Sequence, residues 1–167
     1  MFRRVMLHST KLEGEEPTIY FDRDNSYWPT ALKADDPFDD NFKMTVVYES
    51  DTEPKDIPLV VYFQGNRYLL AVGRLDPGTS GYFHWAEEPP TAREFFEALG
   101  AKVEESTTFS LQWETGYMIS DTEFVRTDYI PTQIYVEVPK IDIVKYALIG
   151  TCVIGAAILA LGIVRGK

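Results

Sequence analysis

Two histidines, one cysteine and twenty-six carboxylates are the residues from which this 167-residue chain could build a reactive centre. His84 stands in the stretch YFHWAEE, three residues before Glu87. The two could pair as acid and base or start a metal site. At a strand end, however, that spacing does not bring two side chains to one point, and no third ligand is apparent. His84 is therefore expected to be a strand-end surface residue. The run Asp22-Arg23-Asp24-Asn25-Ser26 begins like a calcium loop. It then has Tyr27 where such a loop needs glycine and Lys33 where it needs a bidentate glutamate. Asp35, Asp36, Asp39 and Asp40 surround Pro37 and read as a solvated acidic loop. Gly78-Thr79-Ser80-Gly81 lacks the lysine and spacing of a phosphate loop, and no helix follows it to make a nucleophile elbow. The sole cysteine, Cys152, can form neither an internal disulfide nor a thiolate ligand set. The expectation is a protein without catalytic residues, cofactor or metal.

The chemistry that remains is recognition. Residues 1–139 hold 12 basic and 25 acidic residues, a net charge of −13. Such a surface repels nucleic acid and anionic headgroups and favours either basic protein partners or simple solubility, between which acidity alone does not choose. Three tryptophans and ten tyrosines supply rings of the kind that anchor protein interfaces. Tyr27, Trp28 and Phe38, set among prolines and aspartates, are the expected partner contacts.

The last part of the chain follows a different rule. Residues 146–164, in YALIGTCVIGAAILALGIV, contain no charge and no proline. As a helix, nineteen residues reach about 28 Å, close to the hydrocarbon thickness of a bilayer. Lys145 and Arg165 bracket the run, and Tyr146 stands where interfacial aromatics are favoured. One transmembrane helix is expected here. Gly155 and Gly162 fall on nearly one face, with Thr151 a turn earlier, so a second helix could pack closely against them. No ionisable residue interrupts the run, which reads as an anchor rather than an ion path. With Met1 taken as the mature start, the layout is that of a single-pass, tail-anchored protein whose head faces the cytoplasm.

The elements that must position these residues are mostly strands. Residues 1–42 read as an irregular acidic and aromatic arm with one short strand at 18–21. Residues 43–139 read as a β domain, and 140–167 as the membrane anchor. KMTVVYES alternates as a strand should, and PLVVYF and RYLLAV flank a turn in which Gly65-Asn66 supplies positive φ. TFSLQW and YMIS are expected as separate strands around a Thr115-Gly116 turn, followed by TEFVRT and TQIYVEV. One helix interrupts the strands. Thr91 and Glu94 form a capping box, Ala92, Phe95, Phe96 and Leu99 share a face, and Gly100 ends it. Eight or nine short strands with turns between them predict a mainly β fold. The expected form is an antiparallel sandwich, immunoglobulin-like or jelly-roll-like, with one inserted helix.

Together these features predict a non-catalytic, membrane-anchored structural or accessory subunit of a larger membrane assembly. Its β head would bind partner proteins and its helix would pack against other spans. The alternative is a stand-alone tail-anchored receptor for a mobile protein or small ligand.

Overall fold

The computed structural model describes the backbone of Arg3–Arg4 and His8–Ser9, and residues 18–49 and 53–140 in full. The expected span at 146–164, with Thr151, Gly155 and Gly162, lies outside the described residues. Among the described residues no helix is long and apolar enough to cross a membrane.

The chain is mainly β, with two sheets and one short helix. Its strands are β1 (Arg3–Arg4), β2 (His8–Ser9), β3 (Thr18–Phe21), β4 (Ala31–Lys33), β5 (Lys43–Glu49), β6 (Lys55–Phe63), β7 (Asn66–Leu75), β8 (Thr79–His84), β9 (Thr107–Ser120) and β10 (Glu123–Glu137); the helix, α1, is Ala92–Ala98. The large sheet runs β1-β7-β6-β9-β10-β2, and β4 also pairs with β10. The small sheet runs β3-β5-β8. The long strands are antiparallel to one another, whereas β2 and β4 lie parallel to β10 near its opposite ends.

Strand alternation explains which residues face inward. Ile19 and Phe21 on β3, with Met44, Val46 and Tyr48 on β5, are buried in one core with Ile57, Leu59, Val61 and Phe63 on β6 and Trp113 on β9. Residues 18–42, expected as an irregular arm with one short strand at 18–21, thus contribute that strand, a second one (β4) and several core side chains. The helix takes the place its capping box predicts. The Glu94 amide donates to the Thr91 hydroxyl at 3.2 Å, and the Thr91 amide donates to the Glu94 carboxylate at 2.8 Å. Gly100, at φ +88°, turns the chain away after it. Phe96 stacks on Phe109 of β9 with ring centroids 4.2 Å apart, so the apolar face of α1 closes over the large sheet.

Three local expectations are corrected. The β6–β7 loop is Gln64-Gly65, both with positive φ, because Phe63 and Asn66 already pair as strand residues. The loop is therefore one residue earlier than Gly65-Asn66. Thr115-Gly116 is no turn: β9 continues through both to Ser120. The glycine serves a close approach, since a Cβ at residue 116 would lie 1.8 Å from the Val125 carbonyl oxygen on β10. The Thr115 hydroxyl meanwhile donates to the Pro58 carbonyl on β6 at 3.0 Å. TEFVRT and TQIYVEV are likewise one strand, bent by a bulge at Thr127 between paired Arg126 and Asp128. Pro131 sits within that strand at no cost to the ladder. The Tyr135 amide, four residues on and on the same edge, bonds Thr30 rather than β9, so the proline's missing donor faces away from β9.

The bulge also clips the two sheets together. The Thr127 hydroxyl donates to the Ile19 carbonyl at 2.6 Å, and the Asp128 carboxylate accepts from the Phe21 amide at 2.9 Å and from Arg23.

Candidate functional site: an aromatic face of the small sheet

The register of the small sheet decides what its outward face carries. Inward residues Ile19, Phe21, Met44, Val46 and Phe83 leave Tyr20, Lys43, Val47, Tyr82 and His84 on the other side. Tyr27 joins them, because it exchanges two backbone hydrogen bonds with Lys43 and so lies beside it on the same face. Three tyrosines and a histidine therefore share one surface. Tyr82 is 60% exposed and Tyr27 47%.

These rings are held in place rather than left free. The Tyr20 hydroxyl donates to Glu49 at 2.7 Å and the Tyr27 hydroxyl donates to Asp39 at 2.9 Å. Those carboxylates raise both phenol pKa values, chiefly through the hydrogen bonds, so the hydroxyls stay protonated donors. The Lys43 ammonium lies 4.9 Å from the centre of the Tyr82 ring, and Tyr82 packs against His84 at 5.4 Å. The loop at Asp22–Ser26 closes over Thr45 at the middle of the face. Ser26 accepts from the Thr45 amide at 2.9 Å, and the Thr45 hydroxyl donates to the Asn25 carbonyl at 2.8 Å. A buried threonine is thereby satisfied.

The residues expected to meet a partner separate. Tyr27 is on the exposed face. Trp28 is half-buried against the core. Phe38 is fully buried and is corrected to a core residue. Its ring lies 4.7 Å from Phe95, 5.6 Å from Trp85 and 5.8 Å from Phe42, and its amide donates to the Pro90 carbonyl.

The carboxylate runs also disperse. Asp22 accepts from the side chain and amide of Asn25, which lower its pKa. Asp35 pairs with Arg93 at 2.8 Å and Asp39 with Asn41 and Tyr27, so neighbours in sequence serve different partners. Among the described residues no group of three or more histidine, cysteine or acidic side chains is placed to hold a metal ion. No hydrogen bond or ion pair joins His84 to Glu87 among the described residues. The His84 Nδ1 lies 2.7 Å from the Trp85 carbonyl, and a carbonyl can only accept, so that nitrogen carries the proton. Gly78 at φ +73° simply turns the chain into β8.

Sequence reasoning missed Tyr20 and Tyr82 as members of this face. The signal was present in the alternation of TIYF and TSGYFH, which sets each tyrosine opposite an inward aromatic. It also missed Glu114, which is fully buried on β9 and paired with Arg67 at 2.7 Å and Arg126 at 2.9 Å. No family model, curated protein or solved structure matches the chain.

Proposed function

We propose that this chain is a non-catalytic, single-pass membrane-anchored accessory subunit that binds partner proteins through its β head. The observation that carries this reading is the Tyr20–Tyr27–Tyr82 face. Rigid, partly exposed tyrosines lose little side-chain entropy on contact and are favoured at interfaces. Two of the three are already oriented by carboxylates, and Glu49 and Asp39 beside them suit a partner with basic residues at its rim. The uninterrupted apolar sequence at 146–164 supports an anchor. On this reading the two sheets are the layers of a sandwich of the immunoglobulin or jelly-roll kind. The short stretch between β10 and the apolar run keeps the head near the bilayer, on the cytoplasmic side, and Thr151, Gly155 and Gly162 pack against a neighbouring span.

The test is substitution on the face without damage to the core. Tyr82→Ala and Tyr27→Ala, made in the full chain in its own membrane, should release co-purifying protein chains while leaving the melting temperature within a few degrees of the parent. Unchanged co-purification in the double variant would refute the assignment of this face.

A further inference from the structure

The opposite surface of the molecule, the outward face of the large sheet, has different chemistry. Beside the β6–β7 hairpin it forms a groove of about 510 Å³, within the range of small-molecule sites. The register sets its walls in two rows. Tyr62, Gln112 and Pro131 lie side by side across β6, β9 and β10, and Ser110 pairs with Gln133 in the next row, with Gln64 at the hairpin. Neighbouring strands are about 4.8 Å apart, so these side chains converge on one small area.

Three properties of this lining point to one ligand class. No ionised side chain lines the groove, in a chain of net charge −10. Among the described residues, the side chains of Gln112, Gln133 and Ser110 have no hydrogen-bond partner, leaving amide donors, amide acceptors and a hydroxyl available together. The apolar part of the lining is Leu111, Pro131 and the ring of Tyr62, which the Arg67 guanidinium holds from 5.0 Å. Arg67 is itself fixed by buried Glu114. A free acid or a phosphate finds no cation lining the groove, and a purely apolar ligand leaves two amides and a hydroxyl unpaired at a cost. A saccharide ring matches all three properties, since its hydroxyls donate and accept like the amides and its C–H face rests on a flat ring.

We propose that this groove binds a neutral saccharide, with Gln112 and Gln133 bonding its hydroxyls and Tyr62 and Pro131 supporting its ring. The site lies on the other sheet from the tyrosine face and is independent of it. The side of the membrane on which the head stands decides which saccharides reach the groove, not its chemistry.

The test uses the full chain in a sugar-free detergent, titrated with maltoheptaose, cellohexaose, chitohexaose and mannohexaose by calorimetry and saturation-transfer NMR. At least one should bind saturably with a Kd below about 1 mM. Gln112→Ala and Gln133→Ala should each weaken that binding several-fold or more, and Tyr82→Ala should leave it unchanged. Gln133 is exposed, so its variant keeps the fold and a loss of binding reports the contact. Binding of none of the four, or binding indifferent to both glutamine variants, would overturn the proposal.

Discussion

Glu114 is a fully buried carboxylate on β9, reached by Arg67 from β7, across β6, and by Arg126 from β10. Arg67 in turn lies over Tyr62, and Arg126 lies 5.1 Å from the centre of the Tyr129 ring. One carboxylate thus ties three strands on the outward face of the large sheet. Removing one partner of a buried pair leaves the other without compensation, which costs about 3–5 kcal/mol where all groups are dry. Here both guanidiniums keep partial contact with water, so Glu114→Ala should lose stability toward the lower end, about 2–3 kcal/mol. Urea unfolding would measure this as a lower midpoint with little change in slope. A loss below about 0.5 kcal/mol, the size of an exposed pair, would show that the cluster does not hold the strands.

The helix is the element whose stability is most locally written, and for that reason it was the most legible. Thr91, Glu94 and Gly100 lie within ten residues and need no distant strand to act. Thr91→Ala should cost about 1 kcal/mol, and Thr91→Ser much less. The same cap has a pH dependence of definite sign. The Thr91 amide and hydroxyl hold the Glu94 carboxyl below its ordinary value. A depressed folded pKa contributes stability above the unfolded value, near 4.3, and that contribution is lost as pH falls through the folded value. Melting curves from pH 6 to pH 3 should therefore show a shallower acid decline in Glu94→Gln, which has no carboxyl to protonate, than in the parent; parallel declines would contradict this. The strands were less legible because their determinants are remote. Gly116 looked like a turn, yet its reason is a carbonyl on another strand. The hairpin was displaced by one residue because Gln64, not only glycine, occupies the left-handed region. Phe38, set among aspartates, read as a partner contact, and only the docking of residues 34–38 against 90–93 turns it inward.

At the scale of the whole molecule, two sheets present two unlike surfaces around one aromatic core. The small sheet offers oriented tyrosines rimmed by carboxylates, and the large sheet offers a neutral groove lined by amides. Strand alternation made the division of inward and outward residues readable, but the pairing order that gathers Tyr20, Tyr27 and Tyr82 on one face joins residues up to 62 apart. No local pattern encodes that. The central claim is that this head works as part of a larger membrane assembly, and it is tested most directly by native mass. The full chain, extracted from its own membrane in a mild detergent, should elute as a stoichiometric particle well above the 19.1 kDa of one copy, with other protein chains in fixed ratio. Elution as a lone monomer or dimer, with no partner chain, would contradict the account.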